Sequence, residues 1–231
     1  MNGFSVIIPV YNEEEIIVDN VERLMNFLEK LAEPYQIVVV SNGSTDSTVE
    51  KGQMLQKKYS GKMKFFVIKR RGVGLAFKKA IKSSSFIKNI SIDMDLSTDL
   101  NFIPKCLKLL DEYDIVIGSK KVGAQKRSFL RKLMSDTYIT LVRILLGLKF
   151  SDYSIGTKGY RKDKILKCLK SMDEGSFYVI ETFFLVHRNN GKIKEIPVFC
   201  HDVRKSKFSL FQEAIYRFKN LLILSFPGRK L

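Results

Sequence analysis

The sequence predicts an α/β protein with a Rossmann-like, mostly parallel sheet flanked by helices, folded as a single domain. Three observations lead there. Short apolar runs rich in β-branched residues alternate with stretches of helical spacing through the first half of the chain. Polar and glycine-rich clusters follow these runs, as they do at the carboxyl edge of an open α/β sheet. The chain has 231 residues, 45% hydrophobic and 28% charged, which suits one globular domain with a sizeable core and not two.

The elements follow in order. Phe4 to Val10 is a short apolar run bounded by turn formers, suited to a buried parallel strand. Glu13 to Lys30 places apolar residues at helical spacing. Gln36 to Val40 is a second strand. Gly43-Ser44-Thr45-Asp46 then supplies a turn and the N-cap of a helix reaching Tyr59. Lys64 to Ile68 is a third strand, and Gly72-Val73-Gly74 leads into another helix. Asn89 to Ile92 is a fourth strand ending in Asp93-Met94-Asp95, and Ile115 to Gly118 a fifth. This order implies a doubly wound sheet. Beyond Ser119 the pattern becomes a long helix (Arg127 to Gly147), a loop (Ser151 to Gly156) and short elements. A helix near Val179 to Asn189, a strand (Lys192 to Pro197) and a basic amphipathic helix from about Ser209 complete the chain.

Composition excludes several classes. Cys106, Cys168 and Cys200 are far apart, forming neither a disulfide framework nor metal-ligand spacing, and fit a reducing cytoplasm. No stretch reaches the roughly 18 uninterrupted apolar residues of a membrane span. The N-terminal run meets Glu13-Glu14-Glu15 and reads as a strand rather than a signal peptide. Forty Lys and Arg against 24 Asp and Glu give a net charge of +16. That excess attracts nucleic acid, anionic lipid or phosphorylated substrates. With no zinc-finger spacing, RNA-recognition signature or basic low-complexity tail, nucleic acid is not the expected partner.

Asp93-Met94-Asp95 is the chemical centre of the sequence. In an extended segment residues i and i+2 point the same way. Two carboxylates there offer oxygen ligands to a hard cation, Mg²⁺ or Mn²⁺, with positions left for water and substrate phosphates. Acid pairs in turns are common and mostly solvated, so context decides. Asn12, Glu13, Ser44 and Asp46 read equally as helix caps, and Gly72 and Gly74 as tight turns. Their joint placement on one sheet edge favours a site.

Val6-Ile7-Ile8-Pro9-Val10-Tyr11-Asn12-Glu13, Val40 to Thr48, Asp93 to Ser97 and Ile117-Gly118-Ser119-Lys120 resemble, in combination and order, the motifs of family 2 glycosyltransferases of the GT-A fold. Leu145 to Lys149, Asp152, Gly156, Tyr160, Glu181, Glu195 to Val198 and Ser206-Lys207 resemble the dolichyl-phosphate mannose synthase and glucosyltransferase branch. The resemblance implies a nucleotide-sugar half over about residues 1–98 and an acceptor half over about 99–231. It implies a nucleotide-sugar donor of GDP-mannose or UDP-glucose type and a polyprenyl or dolichyl phosphate acceptor. Transfer would invert the anomeric configuration. It places Pro9, Tyr11, Glu13, Asn42, Gly72 and Gly74 around the donor, and Asp93 and Asp95 on the metal, with Asp93 also serving the ribose. Ser97 falls at the metal, where this branch often has Gln. Lys120, Arg131 and Ser135 would receive the acceptor phosphate.

The chain departs from the pattern at several positions. Ser41 and Asn42 stand where the family normally has two Asp, which leaves nucleotide identity open and raises a rival reading as a catalytically impaired sugar-nucleotide-binding protein. Lys120 and Lys158 each replace an Arg, keeping charge without the bidentate fork. His187 and His201 read as structural. Beyond Arg204, basic residues alternate with Phe211, Ile215, Phe218, Leu222 and Phe226. This suits a helix lying on an anionic membrane surface, or one covering its own core. The expected location is peripheral, on the cytoplasmic face of a membrane, with room for a membrane-anchored partner subunit.

Overall fold

A computed structural model describes residues 3–120, 129–201 and 210–226, apart from the side chains of 129–133 and 210. The first half reads β1 (Phe4–Val10), α1 (Ile17–Glu29), β2 (Tyr35–Asn42), α2 (Thr48–Lys58), β3 (Met63–Ile68), α3 (Val73–Ser83) and β4 (Lys88–Ser91). Then come α4 (Phe102–Leu109), β5 (Ile115–Ser119), α5 (Phe129–Leu146), β6 (Lys158–Arg161), α6 (Lys162–Leu166), α7 (Tyr178–Arg188), β7 (Ile193–Pro197) and α8 (Leu210–Ser225).

One seven-stranded sheet runs through both halves in the order β3-β2-β1-β4-β6-β5-β7. All neighbouring pairs are parallel except those made by β6, which is antiparallel to β4 and to β5. The β1 and β2 side chains alternate between two cores. Ile7, Val38 and Val40 face α3, α5, α7 and α8. Val6, Ile8, Ile37 and Val39 face α1, α2 and α4. Strands apolar on both faces belong in the middle of a layered α/β fold. Each such aliphatic side chain, fully buried, contributes about 1.5–3 kcal/mol.

Pro9 sits in central β1 without loss of a ladder bond. The Ile7 carbonyl accepts the Ile92 N–H, so residues of that parity face β4. Pairing with β4 ends at Ile7–Ser91, so the N–H that Pro9 lacks has no neighbour to serve.

Two elements go beyond the sequence expectation. Helix α4 buries Phe102, Ile103, Cys106 and Leu107 at helical spacing, with Pro104 in its first turn, where proline costs no hydrogen bond. Strand β6 lies between β4 and β5, so the fifth strand does not follow the fourth in the sheet. Its four residues begin with Lys158, a poor signature for a central strand, and Gly159 is there because a Cβ would collide with Cys106. The helix expected to be capped within Gly43 to Asp46 starts one residue later. Its N-cap position is Ser47, and Asp46 Oδ1 accepts the Thr48 N–H at 3.0 Å.

Candidate active site

The loops at the carboxyl ends of β1, β2 and β3 are laced together. Asn42, the last residue of β2, spans the edge. Its Nδ2 donates to the Val10 carbonyl at 2.8 Å, and its Oδ1 accepts the Gly72 N–H at 3.2 Å. Asn12 takes a left-handed conformation (φ 53°), donates its N–H to Ser44 Oγ and accepts the Thr45 N–H. The Glu13 N–H bonds Thr48 Oγ1 at 2.7 Å, and the Glu14 N–H bonds Asp46. The expected helix caps are therefore mostly cross-loop ties. Neither α1 nor α2 has a side-chain bond at its N-cap. Arg71 stacks over the Tyr11 ring at 4.2 Å from its centroid.

Gly72 and Gly74 are not explained by a tight turn, since neither has a left-handed φ. Loop 173–175 lies directly on them. A Cβ on Gly74 would strike the Asp173 and Gly175 carbonyl oxygens, and one on Gly72 the Glu174 carbonyl oxygen. The Leu75 N–H donates to Glu174 O at 3.1 Å, and Arg70 pairs with the Glu174 carboxylate.

The segment expected to be extended through Asp93-Met94-Asp95 turns instead. The Leu96 N–H bonds Asp93 O at 3.1 Å, and Leu96 is left-handed (φ 47°). Burial still alternates: Met94 enters the core while both carboxylates stay on the open side. The turn is pinned by Asn20 Nδ2 on Met94 O at 3.0 Å, and the Ser97 N–H holds Asp95 Oδ1 at 3.0 Å. Ser97 Oγ pairs weakly with the Cys200 thiol at 3.9 Å, and Ser97 O accepts the His201 N–H at 2.8 Å.

Asp93 has a solvent-facing carboxylate set deep in the cleft with protein on its other sides. That enclosure, then repulsion from Asp95, pushes its pKa up; Lys158, the Gly156 N–H and Lys120 pull the other way. A pair of hard oxygen donors in which Asp95 opposes the ionisation of Asp93 is a fitting start for a divalent cation. Among the described residues no group of three His, Cys, Asp or Glu converges, so the pair would need substrate oxygens to complete a coordination sphere.

The opposite wall is loop 151–156, read from the sequence as a loop and found to be tightly bonded. Asp152 is 3% exposed. Its Oδ2 accepts the Lys120 N–H, and its Oδ1 accepts Ser154 N–H and Oγ–H and the Ile155 N–H. Burial alone would raise its pKa, but the Ser154 N–H, Lys158 and Lys120 hold it below the usual carboxylate range. Glu195 on β7 accepts Ser151 N–H and Oγ–H and the Asp152 N–H. Lys120 is thereby fixed at the end of β5, beside the acid pair.

Ser135 is half-buried on α5, one turn beyond Arg131. The side chain of Arg131, with Arg204, Lys205, Ser206, Lys207, Arg229 and Lys230, lies outside the described residues. Lys158, Gly156, Asp152 and Glu195 drew notice in the sequence only through family likeness; no local pattern marks them as neighbours of the acid pair.

Fold and edge together define a protein of the GT-A type. The profile of glycosyl transferase family 2 matches residues 5–169, and the chain belongs to that family. It is 38% identical over 199 residues to a dolichol-phosphate mannosyltransferase of Pyrococcus furiosus, covering 84% of this chain and 55% of that protein. It is 28% identical over 244 aligned positions to a dolichyl-phosphate beta-glucosyltransferase of Saccharomyces cerevisiae, covering 95% and 73%. An undecaprenyl-phosphate 4-deoxy-4-formamido-L-arabinose transferase of Pectobacterium atrosepticum is 27% identical over 184 residues, covering 78% and 55%. The chain thus spans about half the length of two of these relatives. Among solved structures, glucosyl-3-phosphoglycerate synthase from Mycobacterium tuberculosis, in complex with Mn²⁺ and UDP-glucose, superposes with a TM-score of 0.66. Sequence identity is 16%, covering 99% of this chain and 81% of that one.

Proposed function

We propose that the chain transfers a hexose from a nucleotide sugar to a polyprenyl or dolichyl phosphate with inversion, using Mg²⁺ or Mn²⁺ held by Asp93 and Asp95. The observation that carries this reading is the acid pair at the carboxyl edge, faced by Lys120 and enclosed by loop 151–156. The names of three relatives, each a transferase to a lipid phosphate, supply the acceptor class. The metal, when bound, would offset charge on the departing diphosphate.

Each part of the edge then has a task. Pro9, Tyr11, Glu13 and Asn42 frame the nucleoside, while Gly72 and Gly74, which lie under loop 173–175, set the close packing beside it. Asn42, tied to Val10 and Gly72, acts at least as a strut between the β1 and β3 loops. Ser97 holds Asp95 through its N–H. Lys120, with Arg131 and Ser135, orients the acceptor phosphate. An acceptor phosphate oxygen attacks the anomeric carbon from the face opposite the diphosphate. The new C–O bond forms as the bond to the diphosphate breaks, and the nucleoside diphosphate leaves with that electron pair. The nucleophile is already an oxyanion, so positioning matters more than a general base.

The acceptor places the protein at a membrane surface. Among the described residues no helix is long and apolar enough to cross a membrane. Helix α8 is apolar on two sides: Leu221 and Leu224 pack in the core, while Phe211, Ile215, Phe218, Leu222 and Phe226 are exposed. On a wheel of about 100° per residue these five span an arc of about 80°, centred about 130° from the buried pair. With a net charge of +16, that face suits an anionic bilayer, on its cytoplasmic side. A membrane-anchored partner subunit is compatible with the same surface.

The test is a screen of sugar nucleotides against polyprenyl phosphate with Mn²⁺ or Mg²⁺, read by mass spectrometry. One donor should give lipid-linked sugar, and Asp95→Ala should abolish product while leaving thermal unfolding nearly unchanged. Full turnover in excess chelator would overturn the metal assignment. Donor binding without transfer to any acceptor would favour the impaired-binder reading raised by Ser41 and Asn42.

A further inference from the structure

Lys158 opens β6 opposite Ser91 on one side and Ile117 on the other, two residues short of the Asp93 turn. Its side chain is 1% exposed, and its Nζ has no hydrogen-bond partner among the described residues. The Phe183 ring centroid lies 6.0 Å from it. A buried ammonium persists only where nearby negative charge offsets its desolvation.

Two carboxylates act on it, Asp152 and Asp93. Asp152 is already committed, with four donors on its two oxygens. Burial and Asp95 both oppose the ionisation of Asp93, and Lys158 is the cation that favours its charged form most, ahead of the Gly156 N–H and Lys120. Burial pulls the Lys158 pKa down to about 8 against the opposing pull of Asp152 and Asp93. Lys120 and Arg217 are the other cations acting on this lysine.

We infer that Lys158 is a built-in counter-ion for Asp93: it balances the acid pair when no metal is bound and competes with the metal for that carboxylate. This rests on the metal reading of Asp93 and Asp95. The physical consequence has a definite sign. A cation beside a divalent site opposes binding, so deleting it tightens the site. The same deletion leaves the metal-free acid pair less well balanced, so the metal-free protein loses stability. A lysine serving only as core filler would do neither selectively, and one gripping substrate phosphate would alter nucleotide affinity instead.

The test uses the full chain and Mn²⁺ alone, without nucleotide, measured by electron paramagnetic resonance. Lys158→Met should bind Mn²⁺ about three- to tenfold more tightly than wild type, and saturating Mn²⁺ should raise its Tm more than it raises that of wild type. Lys158→Arg, which keeps the charge, should retain the wild-type affinity. Unchanged or weaker Mn²⁺ binding by folded Lys158→Met overturns the inference. A second measurement needs no metal: in a double-mutant cycle followed by urea unfolding, Asp93→Asn should stabilise Lys158→Met more than it stabilises wild type. If Asp93→Asn has the same effect in both backgrounds, Lys158 is not paired with Asp93. Loss of the metal reading itself looks different: wild type and Asp95→Ala would bind Mn²⁺ equally poorly while the Lys158–Asp93 coupling persisted.

Discussion

Gly156 illustrates how closely single atoms set this site. Its N–H favours the charged form of Asp93, and a Cβ at that position would overlap the carboxyl oxygens. The glycine is required by close approach, with no unusual backbone angle to satisfy. Gly156→Ala should therefore displace Asp93, lowering Mn²⁺ affinity and transfer at least about tenfold while costing only about 1–3 kcal/mol of stability. Mn²⁺ titration beside urea unfolding separates the two effects, and an unaltered Mn²⁺ curve would show that Asp93 is not a ligand. Asp152 gives a residue-scale test in pH. Its carboxyl is held below the usual range, so its stabilisation is complete above the unfolded value of about 4 and is lost as pH falls through the lower folded value. Asp152→Asn should be less stable at pH 7 by about 1–3 kcal/mol. The gap from wild type should close as urea midpoints are followed below about pH 4.

Periodicity revealed the elements that bury apolar residues regularly. Strands β1 to β5 and helices α1, α3, α5 and α7 fall where runs and spacing place them, because each has an unbroken apolar face. β6 escaped because a central strand that begins with a buried lysine breaks the apolar rule. Spacing singles out Asp93 and Asp95, whereas Lys120, Asp152 and Glu195 stand out only by family likeness: they meet through hydrogen bonds between distant loops, for which spacing carries no signal. Helix α8 was legible as amphipathic, yet only the fold separates its two apolar faces. Phe211→Ser/Phe218→Ser removes two exposed rings, 73% and 42% accessible, and should leave the unfolding midpoint unchanged. It should lower affinity for anionic vesicles by about tenfold or more, in a co-sedimentation assay that places the effect on the membrane face. Equal binding by both proteins would assign that face to another partner.

At the scale of the whole molecule, the strand order has a consequence for how the chain assembles. Strands β1 to β4 pair only among themselves until β6 joins β4, so residues 4–91 can form one side of the sheet as soon as they exist. Strand β5 has no such welcome. Its only neighbours are β6 and β7, both later in the chain, and the edge of β4 stays open until residues 158–161 reach it. A nascent chain must therefore carry a bare central edge and an unpaired apolar strand while the segment between them is still being made. Those are the surfaces that misassemble and that chaperones hold. The insertion of β6 between β4 and β5 thus makes a four-residue strand the keystone of folding, and it is among the last pieces of the sheet to arrive.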